Sequence, residues 1–305
     1  MTPTKNNTKS YEMKKLIYAF LGLFFLNGFA QNDMDDVNIT SEKLADNVHV
    51  LYGRGGNIGL AIGDTYAYLI DDQFGALTEK ILSKVKEITD KPIKFVLNTH
   101  WHGDHTGGNE NLGNSGAIII AHDNVRKRMS KKQERSGGRT TPSSPYAALP
   151  QITFNDAFTI HLDSLNSLHL MHVNNSHTDG DSYMYFPQSN VIHMGDNLTN
   201  GYPFIDINSN GDIDGFIKNL NMALFIVDED TQIIPGHGKV MGRKDLVAFR
   251  DMLATLRIRV KKAKDDGKTI VEAQNMGLSK EWDTTHGQGF INSDRIIESI
   301  YKTVD

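Results

Sequence analysis

The chain has 305 residues, 39% hydrophobic and 23% charged, figures ordinary for a globular protein able to bury a substantial core. Its formal net charge of −5 argues against a general nucleic-acid binder, because neutralising phosphates takes a surplus of Lys and Arg. The absence of cysteine excludes disulfides, thiolate metal ligands and lipid attachment through an N-terminal Cys.

In chain order, Lys14 and Lys15 precede an apolar run at 16–26, and small residues stand at Gly28 and Ala30. This order predicts a signal peptide over residues 1–30, cleaved between Ala30 and Gln31, with Met13 as an alternative start. The run is short for a bilayer span of about 20 residues, so no stable membrane span is expected after the leader is removed. The mature protein is expected in the periplasm or outside the cell. Residues 31–43 read as a polar N-terminal segment and residues 44–305 as a single domain.

Strand-like runs at 48–52 and 66–70 flank a glycine-rich turn, residues 53–59. The turn lacks the Gly-Lys-Ser/Thr ending of a phosphate loop and reads as a tight β connection. Leu77, Ile81, Leu82, Val85 and Ile88 are spaced as one face of a helix that Pro92 follows. Further strands are predicted at 93–97, 117–121, 158–162, 168–173, 183–186 and 191–194, and helices at 215–227, 243–264 and 293–302. Mixed sheets covered by helices satisfy this order, which makes the fold class α/β or α+β. Between these elements, residues 125–150 carry Arg126, Lys127, Arg128, Lys131, Lys132, Arg135 and Arg139. Composition alone leaves them open as a solvated helix end with a loop or as a lid beside a site.

The strongest chemical signal is Thr99-His100-Trp101-His102-Gly103-Asp104-His105-Thr106-Gly107-Gly108, directly after an apolar strand. Three imidazoles and a carboxylate within six positions suit Zn(II), which takes imidazole nitrogen with carboxylate oxygen. Three more groups sit where strands give way to loops: His177 in a polar turn, Asp196 in Gly195-Asp196, and His237 in Pro235-Gly236-His237-Gly238. Open sheets place their sites at such strand ends.

The pattern His-x-His-x-Asp-His, then His, Asp and His, resembles the metallo-β-lactamase superfamily, over about residues 44–303. The resemblance implies a four-layer αββα sandwich and two zinc ions per chain. It implies a first ion on His100, His102 and His177 and a second on Asp104, His105 and His237, with Asp196 bridging. Asp71 resembles the family's early motif aspartate, which supports the ligands from behind. The implied chemistry is hydrolysis, in which a hydroxide shared by the ions attacks the carbonyl of a small lactam, lactone, ester or thioester, with Asp104 as catalytic proton carrier. His102 stands where the flavodiiron branch has glutamate. The best-known β-lactamases place a cysteine in the second site and a lysine where Thr199 stands here, which puts penicillin-type activity in doubt. A phosphodiesterase or nuclease of the same superfamily and a non-catalytic zinc-binding protein are the alternatives. A small-molecule substrate is expected, nucleic acid is not, and oligomeric state is not legible.

His122, Asn197, Tyr202 and Phe204 are candidates for the substrate pocket, and Trp101 and Trp282 for its wall or for the core. Residues 206–214 resemble the start of a calcium loop, but Ile217 replaces the required bidentate glutamate. They therefore read as a polar loop capping the helix near Gly215.

Overall fold

The computed structural model describes residues 34–134 and 140–305; residues 1–30, where a signal peptide is expected, Arg135 and Arg139 lie outside the described residues. One compact unit runs from Ile39 to Asp305, and the other ends at Asn38. In the described part of the latter, Val37 N donates to Met34 O at 3.3 Å, closing a turn.

Among the described residues of the larger unit, fourteen strands are β1 Thr40–Ala45, β2 Val48–Tyr52, β3 Ile58–Ile62, β4 Ala67–Ile70, β5 Ile93–Leu97, β6 Ile118–His122, β7 Gln133–Glu134, β8 Thr140–Thr141, β9 Ile152–Phe154, β10 Ala157–His161, β11 Ser167–His172, β12 Ser182–Phe186, β13 Val191–His193 and β14 Gln232–Ile234. The α-helices are α1 Thr78–Ile88, α2 Gly103–Thr106, α3 Asn109–Asn114, α4 Asp123–Met129, α5 Ile213–Ile226, α6 Arg243–Asp265, α7 Ile270–Asn275, α8 Asp283–His286 and α9 Ser293–Thr303.

Twelve strands form a seven-stranded sheet, ordered β1-β2-β3-β4-β5-β6-β9, and a five-stranded sheet, β10-β11-β12-β13-β14, while β7 and β8 pair as a separate antiparallel ribbon; the two larger sheets build the core. Each is antiparallel at its start and turns parallel at its end, from β4–β5 onward in the first and at β13–β14 in the second. Strand periodicity sends alternate residues to opposite faces. Val48, Val50, Ala61, Ile70, Leu97 and Ile120 of the first sheet meet Leu168, Leu170, Met184, Phe186 and Ile234 of the second in one dry core. The opposite face of the second sheet, with Tyr183, Ile192 and Ile233, packs on Phe216, Leu220, Leu246, Phe249, Leu253 and Ile296 from α5, α6 and α9. Leu51, Leu60, Leu69, Val96 and Ile119, on the other face of the first sheet, are equally buried. The layers are those of an αββα sandwich.

Among the described residues, β1, β3, β7, β8 and β9 escaped the sequence pattern. β1 is polar and largely exposed because it edges the sheet, and it takes in part of the segment read as N-terminal to the domain. β3 begins inside the glycine-rich run. The loop at 206–214 caps α5 as expected, with Asp212 Oδ1 accepting from Gly215 N at 2.8 Å. No helix of the described residues is long and apolar enough to cross a membrane.

Candidate metal centre

All seven donor side chains lie just past the C-terminal ends of strands. The β5–α2 turn carries His100 and His102, α2 itself carries Asp104 and His105, the β11–β12 turn carries His177, and Asp196 and His237 follow β13 and β14. One sheet thus supplies four of the seven and the other sheet three. Their atoms gather in two sets, His100–His102–His177–Asp196 and Asp104–His105–His237, within each of which the donor atoms lie within 4.8 Å of one another. Asp196 faces both. Its Oδ2 lies 3.6 Å from His177 Nε2, while Oδ1 lies 3.1 Å from His105 Nε2 and 3.4 Å from His237 Nε2.

The ring nitrogens are sorted by what stands behind them. His177 Nδ1 donates to the Phe204 carbonyl at 2.6 Å, leaving the Nε2 lone pair for the centre. His102 is reversed, its Nε2 donating to Asp206 Oδ2 at 2.9 Å, so Nδ1 faces His177 Nε2. His105 Nδ1 donates to Asp71 Oδ2 at 2.7 Å. Thr99 donates to Asp71 through both N and Oγ1, at 2.8 and 2.7 Å, so its hydroxyl oxygen accepts from His100 Nδ1 at 3.0 Å. His100 Nε2 is then a buried lone pair with no partner in the protein. Four of the five imidazoles are thus fixed in the tautomer that aims a lone pair inward, the usual arrangement behind a metal, while His237 meets the centre through Nε2 beside Asp104 and Asp196.

Charge points the same way. Burial opposes protonation of His100 and His177 and holds His177 down to about 4, so both rings stay neutral as ligation requires. Burial also opposes ionisation of Asp104, but His105 and His237 outweigh it and hold the carboxyl at about 2. Burial works against a charge on His105 and His237 as well, yet the carboxylates of Asp196 and Asp104 raise both, His237 to about 9. A carboxylate cage that favours a proton on these rings favours any cation at the same point. The unpartnered His100 Nε2 and the all-N,O donor set fit a pair of Zn(II) ions, whose bonds to nitrogen and oxygen run about 2.0–2.2 Å.

The glycines around the centre are spatial requirements. A Cβ on Gly56 would strike the His105 ring. Gly195 has φ +53, and its Cβ would lie 2.7 Å from Thr99 Oγ1. The run at 53–59 is thus a wall of the site as well as a β connection.

A groove of about 930 Å³ opens over the centre, lined by Tyr202 and Phe204 with Phe74, Trp101, Asn200 and the segment at 285–291. Two pocket candidates lie elsewhere. Asn197 is 2% exposed, buried in the turn Gly195–Asn197, and does not line the groove as its neighbour Asp196 does. His122 is buried, stacked on His172 at 3.6 Å, and caps α4 by accepting from Asn124 N; β6 ends beside β9, away from the groove. Trp101 borders the groove while packing on Val125, Met129 and Leu149, and Trp282 belongs to the helical core. In the basic stretch, Arg128 pairs with Asp179 at 2.6 and 2.7 Å, Arg126 donates to the Pro150 carbonyl, and Glu134 reaches the groove's rim. Asp206 and Arg295 of the groove carried no signal in the sequence as site residues. Asp206 meets His102 across 104 residues, and Arg295 belongs to a helix read only for its apolar face.

Comparisons with known proteins agree with this geometry. A family model described as the metallo-beta-lactamase superfamily matches residues 51–237, more than half of the chain. Metallo-beta-lactamase type 2 of Bacteroides fragilis is 24% identical over 244 residues, 75% of this chain and 92% of that protein. Lactamase-like protein aptB of Emericella nidulans is 26% identical over 191 residues, 60% of this chain and 55% of that protein. Among solved structures, an inverting sec-alkylsulfatase from Pseudomonas sp. superposes with a TM-score of 0.68 at 16% identity, over 87% of this chain and 50% of that one. The chain therefore spans about half the length of the fungal relative and of the alkylsulfatase. A metallo-beta-lactamase from Pontibacter korlensis matches with a TM-score of 0.59 at 17% identity, over 71% of this chain and 99% of that one. Since the family model spans every donor from His100 to His237 and solved members share the sandwich, the chain belongs to the metallo-β-lactamase superfamily.

Proposed function

We propose that the protein is a di-zinc hydrolase acting on the carbonyl of a small lactam, lactone, ester or thioester. The observation that carries this reading is the pair of donor sets joined by Asp196, with His100, His102, His105 and His177 braced so that a lone pair points inward. When bound, two zinc ions supply Lewis acidity and make water nucleophilic at neutral pH.

The protein's own groups supply the rest. Asp71, Asp206 and the Phe204 carbonyl hold the imidazoles in place before substrate arrives, which removes reorganisation from the reaction. Asp104 is about one-third exposed, with Oδ2 3.4 Å from His237 Nε2, so it touches both the centre and the groove. Held ionised, it accepts a proton at Oδ2 and returns it to the departing group. A groove of about 930 Å³ suits a molecule of drug size and encloses the reacting carbonyl.

The likeness to a Bacteroides fragilis metallo-beta-lactamase over most of its length supports a carbonyl substrate. The test is turnover by the zinc-loaded protein of a chromogenic β-lactam, a lactone and a p-nitrophenyl ester, beside bis-p-nitrophenyl phosphate. Carbonyl turnover is expected, falling by about 100-fold or more in Asp104→Ala. Faster cleavage of the phosphodiester would replace this reading with the nuclease-type alternative. Export belongs to the same proposal, and sequencing the N-terminus of protein recovered from its native cells tests cleavage before Gln31.

A further inference from the structure

The groove has a second polar end, remote from the donors. Among its described lining residues, Arg295 is the only Lys or Arg. His286, the other basic side chain outside the donor cluster, is held below the usual histidine range by burial. A path of aromatic contacts links the two ends. Phe204 lies 5.8 Å from the His102 ring, Phe290 lies 5.9 Å from Phe204, and the Arg295 guanidinium sits 4.3 Å over Phe290.

The guanidinium is held but not neutralised. Its Nη1 donates to the Phe290 carbonyl at 2.7 Å and its face rests on the ring, while Nε and Nη2 have no partner among the described residues. Stacking uses the face of the group and leaves an edge of N–H donors, the geometry that grips a carboxylate bidentately. Arg295 stands in the first turn of α9, whose N-cap Asn292 accepts from Arg295 N, so the helix dipole adds positive potential there. The opposing carboxylate at the rim, Glu134, is paired with Lys132 at 3.5 Å. The backing segment is anchored as well: Tyr202 donates to Ser279 O and Asp283 Oδ1, and Tyr202 N donates to His286 O.

We propose that Arg295 is the specificity residue of the groove and that the substrate carries a carboxylate on an apolar or aromatic body, remote from the bond that is cleaved. The body lies along Phe204 and Phe290 and the carboxylate meets the free edge of Arg295. This rests on the reading that the donor cluster holds the scissile carbonyl.

The test is calorimetric binding of 4-phenylbutanoate and of the matching amide, neither of which is an ester, to the zinc-loaded protein and to Arg295→Ala and Arg295→Gln. The wild type is expected to prefer the acid by about ten-fold or more, and the preference to fall below about three-fold in both variants. Gln keeps an N–H donor for the Phe290 carbonyl, so a residue that only staples the loop would leave the preference intact in Arg295→Gln. Equal binding of acid and amide by the wild type overturns the proposal. So does a preference that survives both substitutions, since the carboxylate is then held at the donor end. Binding preference is read without turnover, so failure of the hydrolase reading and failure of the Arg295 assignment give different results.

Discussion

Asp71 has φ 63 and a fully buried carboxylate that serves Thr99 twice and His105 once. Asparagine tolerates the same left-handed backbone, but its amide would present N–H to His105 Nδ1 and turn the ring's proton toward the centre. Asp71→Asn is expected to weaken metal binding at the Asp104–His105–His237 set by about 10- to 100-fold, read by chelator competition. Gly56→Ala tests the wall on the other side of the same ring. Its methyl must displace His105, so zinc stoichiometry is expected to fall toward one ion per chain while circular dichroism keeps its native shape. The seven donors were legible because His-x-His-x-Asp-His followed by His, Asp and His is a rare grouping of residue types. Asp206 was not, since its partner His102 is brought to it only by the tertiary fold. His122 was misplaced because sequence position after an apolar strand does not tell what the ring will meet, and it stacks on His172 instead of lining the groove.

Among elements, α1 was legible from its apolar face, of which Ile81 and Val85 are buried. β1 was not, because an edge strand with exposed polar residues has no alternation to read. The segment from α7 through α9 was legible only as its last helix, although its stretch from Thr285 to Arg295 forms a wall of the groove. Tyr202 ties that wall to the rest, its hydroxyl donating at 3.1 and 2.9 Å to Ser279 O and Asp283 Oδ1. Tyr202→Phe is expected to cost about 1 kcal/mol of stability by denaturant titration. Loosening the wall should also raise KM more than it lowers kcat. Equal effects on the two constants would mean that Tyr202 acts on the chemistry itself.

For the whole molecule, acid sensitivity follows from histidines buried neutral. Burial and the neighbouring His172 ring push His122 down to about 4 from 6.5. The unfolded chain therefore takes up this proton first as the pH falls. The stability contributed is fully present above pH 6.5 and is lost between 6.5 and 4. His122→Asn keeps an acceptor for Asn124 N and removes the titrating ring. It should flatten the loss over that window by on the order of 2 kcal/mol, measured by urea unfolding at pH 7 and pH 4.5. An unchanged slope would assign the sensitivity to the other buried rings.

Four donors come from the sheet formed first along the chain and three from the sheet formed second, with Asp196 reaching toward both sets. On the di-zinc reading proposed above, neither half would hold two ions alone, so metal uptake would wait until the sheets have docked in register. Loading would then work as an inspection of the finished fold: a chain with a strand slipped by a single residue turns that strand's side chains to the opposite face and cannot assemble both donor sets. Such a molecule stays empty and open to proteolysis, and the loaded population is therefore the correctly assembled one.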